Sequence, residues 1–149
     1  ADVPFCILNG TYRCLGIGEQ LLPLAEMPKC YLVVAKPDVG VSTPEAYRAC
    51  DNVPDGGMRY TPGMVRAVEH RSIEEIANAL GNRFDDALQI SVVQEIKKYL
   101  CENGALNALM TGSGSAVFGI FSEKSLAENA AKRMPKAFGA CFLAEPVNG

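Results

Sequence analysis

The chain has no tryptophan and a single histidine among its 149 residues. A Ser-His-Asp or Cys-His arrangement would therefore have to use His70, and no nucleophile motif accompanies it. His70 sits late in a helical stretch, "VEHRS", where a cation suits the helix dipole. Long apolar runs are missing too. "YLVVA" and "AVFGIF" are far too short to cross a bilayer, so no membrane partner is expected. Fourteen Lys and Arg face seventeen Asp and Glu, and the net charge is −3 with no basic run, which argues against nucleic acid as a partner. The opening residues lack the basic start, apolar middle and small-residue site of a secretory leader. The six cysteines, Cys6, Cys14, Cys30, Cys50, Cys101 and Cys141, form no C-x-x-C pair and have no histidine at ligand spacing. That excludes a zinc site of the usual tetrahedral spacing, so no metal ligands are assigned. It points instead to reduced thiols in the cytoplasm.

What is present is an ordinary globular composition and enough chain for one domain with a sizeable core. The opening run, Phe5 to Leu8, reads as a strand that Asn9-Gly10 turns into an N-terminal β-hairpin. Gly16 and Gly18 mark a second strand-to-strand turn. "CYLVVAKP" is a buried strand stopped by Pro37. Thr43-Pro44-Glu45 and Thr61-Pro62 read as helix starts, each with a threonine cap and proline in the first turn. The first runs to about Asp51, and "DNVPDGG" after it is the segment expected to be mobile. Ser72 with Glu75 and Ser91 with Gln94 read as capping boxes. The helices they open place Ile73, Ile76, Ala77 and Leu80, then Val92, Val93, Ile96 and Leu100, on the apolar face, and end at Gly81 and Gly104. "LNALMTGSGSAVFGIF" gives two strands around a Gly/Ser loop. Ser122 opens a last helix that stops before Pro135, and "ACFLAEP" is a final strand. With the middle helices counted as one crossover, the order is β-α-β-β-α-β, the split ferredoxin-like plan, with extra helices. The fold class expected is α+β, with helices packed on one face of an antiparallel sheet.

The stretch with most chemical content is "TGSGSAVFG", Thr111 to Gly119. Gly112 and Gly114 free the backbone for positive φ, so that successive N–H groups can converge on an anion, and Ser113 and Ser115 add hydroxyls. A strand follows, and no lysine is present, so this is neither a Walker loop nor a dinucleotide fingerprint. On its own the stretch reads first as a flexible hairpin turn, with an anion cradle as the alternative. Tyr47, in the first turns of the helix opened at Thr43, and Asp2, at the start of the chain, carry no functional signal by themselves.

Together, "ADVPF", "GIGEQLLPL", "YLVVAKPDVGVSTPEAY", "LGNRFDDAL" and "MTGSGSAVFGIF" resemble, in order and spacing, the C-terminal half of the 4-diphosphocytidyl-2-C-methyl-D-erythritol kinases, a family of the GHMP kinase superfamily. The resemblance spans nearly the whole chain. In that family the first motif reads G-A-D-V-P-F and lies mid-chain, whereas here the chain starts at its second residue. The resemblance therefore implies a C-terminal, substrate-side part of an ATP- and magnesium-dependent kinase of non-mevalonate isoprenoid synthesis. Its partners would be a small-molecule substrate and the N-terminal half of the same protein. The ATP-binding loop, a catalytic lysine and the rest of the cytosine-reading residues would lie in that other half. Position by position, the resemblance makes Asp2 the catalytic aspartate, Tyr47 the aromatic that stacks on cytosine and Ile17 an aliphatic wall of the cytidine pocket. It makes Gly112, Ser113, Gly114 and Ser115 the phosphate-side glycine-rich motif. The alternatives left open are another GHMP kinase, for mevalonate, homoserine or a sugar, and a non-catalytic ferredoxin-like binding module. "ADVPF" and Tyr47 weigh against the former.

Overall fold

The computed structural model describes residues 3–53 and 60–147. It opens with helix α1 (Val3–Leu8), followed by hairpin strands β1 (Tyr12–Leu15) and β2 (Gln20–Pro23) and then by β3 (Tyr31–Lys36). Helices α2 (Thr43–Asp51), α3 (Thr61–Glu69), α4 (Ile73–Asn78), α5 (Arg83–Leu88) and α6 (Ser91–Glu102) come next. Strands β4 (Asn107–Met110) and β5 (Val117–Phe121), helix α7 (Lys124–Lys132), a 3-10 turn at Lys136–Phe138 and strand β6 (Ala140–Ala144) complete the chain.

The main sheet has the order β4-β5-β3-β6, with every pair antiparallel. This is the ferredoxin-like order expected for β-α-β-β-α-β, so the α+β reading holds. Side chains alternate along each strand and sort into two clusters. Val33 and Ala35 of β3, Val117 and Phe121 of β5, and Ala108 and Met110 of β4 pack under α6 (Val93, Ile96, Leu100) and α7 (Ala127, Ala130). Fully burying one of the larger of these side chains is worth about 1.5–3 kcal/mol. Ile120 and the partly buried Leu32 and Phe118 face the other way. They meet Cys30, Ala67 and Val68 of α3 and Ile76 of α4. Helices therefore cover part of the second face as well, a correction to the expected one-sided packing. The second cluster encloses the Cys30 thiol, and burial, with the negative charge of Glu145, pushes its pKa up to about 11. All six cysteines are free.

The opening differs from expectation. Phe5 to Leu8 belong to a helix rather than a strand, and Asn9 and Gly10, both at positive φ, terminate it. The Asn9 N–H donates to the Phe5 carbonyl. Left-handed backbone serves a helix C-terminus as well as a tight hairpin turn, and Asn-Gly alone does not distinguish them. The hairpin exists one turn later, with Tyr12 opposite Pro23 and Leu15 opposite Gln20. Its turn is the Gly16–Gly18 pair, with Gly18 N–H donating to the Leu15 carbonyl.

Helix starts also shift by one residue. Ser42, Tyr60, Ile90 and Glu123 take the cap positions expected for Thr43, Thr61, Ser91 and Ser122. Ser72 does cap, accepting from the Glu75 N–H, but the Glu75 carboxylate turns to His70 Nδ1 at 2.8 Å. Gln94 forms no box because its amide donates to Asp85 instead. From residue 54 on, the loop expected to be mobile lies outside the described residues.

Gly139 leads into β6 at φ +78 and ψ −148, and a Cβ there would lie 2.1 Å from the Lys36 carbonyl oxygen. Both the backbone conformation and the space are open to glycine alone. Gly139→Ala should lower stability by about 3 kcal/mol, because the strain adds to a forced shift of the β3–β6 pairing. Chemical denaturation of the variant beside the parent protein checks this, and a loss below about 0.5 kcal/mol would contradict it.

Candidate functional site

The glycine-rich loop spans 111–116 between β4 and β5. It is closed by Thr111 N–H donating to the Ala116 carbonyl and Gly114 N–H donating to the Thr111 carbonyl. Its two glycines do different work. A Cβ on Gly114 would lie 2.6 Å from Met110 Sδ, so this residue packs inward. A Cβ on Gly112, at φ +57, would meet nothing within 4 Å. Among the described residues the Gly112 and Ser113 N–H groups have no hydrogen-bond acceptor. The loop thus offers two backbone donors on its open side, the arrangement that binds an anion.

The two serines divide the same way. Ser115 is buried, and its hydroxyl donates to the Val39 carbonyl and accepts from Lys36 Nζ at 3.1 Å. Lys36 also donates to the Pro37 carbonyl at 2.8 Å. Ser115 is therefore a fastening between the loop and the end of β3. Ser113 stands at the opening, where its Oγ lies 3.4 Å from Oγ1 of Thr43.

Thr43 is the first residue of α2 and Tyr47 stands one turn further on, so both share one helix face about 6 Å apart along the axis. Tyr47 is 61% exposed, and its ring meets Phe84 of α5 edge-on, with centroids 5.1 Å apart and planes at 88°. Helix α5 went unassigned in the sequence because its residues show no apolar period. Each of them answers to a different neighbour. Arg83 Nη2 donates to the Cys50 carbonyl at the end of α2. Asp85, buried, binds Lys97 Nζ at 2.6 Å and Gln94 Nε2 at 2.8 Å on α6. Asp86 accepts from the Tyr60 hydroxyl, whose ring lies where a Cβ on Gly81 would be. Asn82 caps α5 through Phe84 N–H and donates to the carbonyls of Met110 and Gly112.

The structure thus brings Tyr47, Ser113 and the loop together through α2 and α5. Ile17 stands apart, 81% exposed at the tip of the hairpin, and no hydrogen bond or ring contact among the described residues joins it to that group. The Glu19 carboxylate folds back to accept the Ile17 N–H at 2.6 Å. Backbone hydrogen bonds from Glu19 itself and from Ile17 hold its pKa down. A Cβ on Gly16 would collide with that carboxylate, which explains the spacing of "GIGE". Asp2 lies outside the described residues. Lys36, Thr43, Asn82 and Phe84 were missed, because their partners are far away in the chain.

Residues 64–140, which include this loop, match the family described as GHMP kinases C terminal. The chain belongs to the GHMP kinases. This GHMP-kinase domain is 42% identical over 136 residues to a 4-diphosphocytidyl-2-C-methyl-D-erythritol kinase of Caldicellulosiruptor saccharolyticus, a match covering 90% of the chain and 47% of that relative. The chain spans about half the length of the curated relatives it matches. A solved 4-(cytidine 5'-diphospho)-2C-methyl-D-erythritol kinase superposes on all of it with a TM-score of 0.78 at 29% identity, over 54% of that chain. A homoserine kinase from Cytophaga hutchinsonii shares the fold, with a TM-score of 0.78 at 18% identity, over 98% of this chain and 50% of that one.

The different burial of the two serines has a measurable consequence. Ser115→Ala leaves the Val39 carbonyl without its hydroxyl donor and Lys36 with only the Pro37 carbonyl, and should cost about 1–3 kcal/mol of stability. Ser113→Ala, at the open side, should stay within about 0.5 kcal/mol of the parent. Equal denaturation midpoints for the two variants would contradict this division.

Proposed function

We propose that this chain is the C-terminal, substrate-side part of an ATP-dependent cytoplasmic kinase. The enzyme would transfer the γ-phosphoryl group of ATP to a hydroxyl of 4-diphosphocytidyl-2-C-methyl-D-erythritol, in non-mevalonate isoprenoid synthesis. The observation that carries the reading is the pairing, on one face of α2, of an open anion cradle beside Thr43 with the exposed ring of Tyr47. A cytidine diphosphate ester has both features to recognise, a charged end and a planar base. Homoserine and mevalonate have no ring for Tyr47 to stack on. The identity to the kinases named above supports the same choice.

In this reading the nucleotide-binding half precedes the chain and packs against the exposed apolar side chains of α1 and the hairpin, among them Val3, Ile7 and Leu22. Asp2, immediately before α1 in sequence, accepts the proton of the substrate hydroxyl as its oxygen bonds to the γ-phosphorus and the bond from phosphorus to the β–γ bridging oxygen breaks. An ordinary carboxylate is too weak a base to deprotonate a free alcohol in the ground state, so the proton moves late, and before that Asp2 orients the hydroxyl. The free N–H groups of Gly112 and Ser113 offset charge on the phosphoryl oxygens. Ile17, at the hairpin tip and apart from Tyr47, is given a place in the cytidine wall by the family resemblance alone. Among the described residues no three His, Cys, Asp or Glu side chains converge as metal ligands; magnesium in phosphoryl transfer is commonly held by one or two carboxylates with substrate phosphates and water.

The direct test incubates the full-length protein with ATP, magnesium and 4-diphosphocytidyl-2-C-methyl-D-erythritol and follows a new phosphomonoester by phosphorus NMR. Turnover on homoserine or mevalonate in its place would overturn the substrate. Asp2→Asn should lower kcat by about 10²–10⁴-fold with little change in KM, since a general base acts mainly in the transition state. Wild-type kcat in a folded Asp2→Asn enzyme would end that assignment. Tyr47→Ala should raise KM for the cytidine substrate by about five- to a hundredfold, the worth of one stacked base, while Tyr47→Phe stays close to the parent. Equal damage from both would shift the role from the ring to the hydroxyl.

A further inference from the structure

We propose that Asn82 is a positioning residue that sets the glycine-rich loop and the Tyr47 ring as one unit. The inference rests on the kinase reading for its catalytic consequence, and on side-chain geometry for the rest. A carboxamide has two donor hydrogens and one acceptor oxygen in a single plane. Asn82 uses all three. Its Oδ1 accepts the Phe84 N–H at 2.9 Å, and its Nδ2 donates to the Met110 carbonyl and to the Gly112 carbonyl, each at 2.8 Å. All three bonds form only when the first turn of α5 and the loop stand at one separation.

The two carbonyls it holds are informative. The Gly112 carbonyl belongs to the same peptide unit as the Ser113 N–H, one of the two open donors of the cradle. In a planar trans peptide these groups point in opposite directions. Holding the carbonyl toward Asn82 therefore aims the Ser113 N–H away from Asn82, and a donor at the carbonyl also polarises the peptide and strengthens its N–H. The Met110 carbonyl shares its peptide with the Thr111 N–H, which closes the loop onto Ala116 at 2.9 Å. On the other side, the Phe84 N–H that Asn82 accepts fixes the residue whose ring stands edge-on to Tyr47. One side chain thus reaches both the phosphate end and the aromatic end of the site.

A helix cap alone would explain only the bond to Phe84. Asn82→Ser separates the two roles, because serine caps as well as asparagine but has no amide donors to reach the carbonyls. In the full-length protein, Asn82→Ser should speed amide exchange at Thr111 and Gly114 by about tenfold or more while leaving α6 protected. It should lower kcat for 4-diphosphocytidyl-2-C-methyl-D-erythritol by about tenfold, with KM within about threefold. Phe84→Leu should do the reverse, raising KM several-fold at near-parental kcat and loop exchange. Asn82→Asp, which keeps the size and the cap but not the amide donors, should show the same faster loop exchange and lower kcat, and serves where Asn82→Ser compromises folding. Parental loop exchange or parental kcat in the folded Asn82 variants would reduce Asn82 to a cap and overturn the proposal. So would a loss of folding in both. A parent protein inactive on this substrate would overturn the kinase reading instead, and exchange at Thr111 and Gly114 would still decide whether Asn82 holds the loop.

Discussion

The end of β3 is where the structure is most tightly constrained. β3 is paired on both sides, by β5 and by β6, so its register fixes both neighbours. At Lys36 and Pro37 the strand stops, because proline has no N–H to continue a ladder. The groups left there are all used. The Lys36 ammonium binds Ser115, the Ser115 hydroxyl reaches Val39 just beyond the strand, and the Lys36 carbonyl lies so close to Gly139 that no side chain fits. The glycine-rich loop, the segment leading to α2 and the entry to β6 thus meet at one strand end. A loop rich in glycine has much conformational freedom to lose, and this fastening takes part of it away within the fold itself.

The second constraint is the short segment from Gly81 to Asp86. In six residues it meets the ring of Tyr60, the glycine-rich loop, the end of α2, the Tyr47 ring, α6 and the hydroxyl of Tyr60, in that order. The Asp85 carboxylate is the costliest member, since a buried charge is tolerated only with its partners, and Lys97 and Gln94 supply them. A helix of six residues has little stability of its own. Its order comes from these contacts, and in turn it fixes α2 against the loop. The Tyr47 ring and the glycine-rich loop therefore owe their spacing to a segment held mainly by polar contacts, with Phe84 as its link to the core.

The contrast between the two glycine turns makes the same point at the level of single residues. Gly16 leaves room for the Glu19 carboxylate, and the turn presents Ile17 to solvent. Gly114 leaves room for Met110, whereas Gly112 leaves room for nothing in the chain itself. Among the described residues, that open space lies beside the Gly112 and Ser113 N–H groups, which have no acceptor there, an arrangement able to take an anion. A structural turn fills the space and uses the groups.

Much of this was legible in the sequence, and the reason is locality. Strand β3 and strands β4 and β5 follow from apolar runs bounded by proline and glycine. Helix α6 follows from Val93, Ile96 and Leu100 at helical spacing, and the ferredoxin-like order follows from the succession of elements. The glycine-rich loop stood out for the same reason, whereas nothing in its own stretch marks Tyr47, which was singled out only by the resemblance to the kinase family. The sequence was ambiguous where one local conformation serves two structures. Asn9-Gly10 could turn a hairpin or end a helix, and in the structure it ends a helix. It was silent where a side chain's partner lies far along the chain. Ser91 and Gln94 have capping-box spacing, but Asp85 offers Gln94 a stronger, charged acceptor. Asn82, thirty residues from the Gly112 carbonyl it holds, looks like any loop asparagine until the sheet brings the loop beside it. Local propensity determined the elements, and tertiary packing decided which of their polar groups meet.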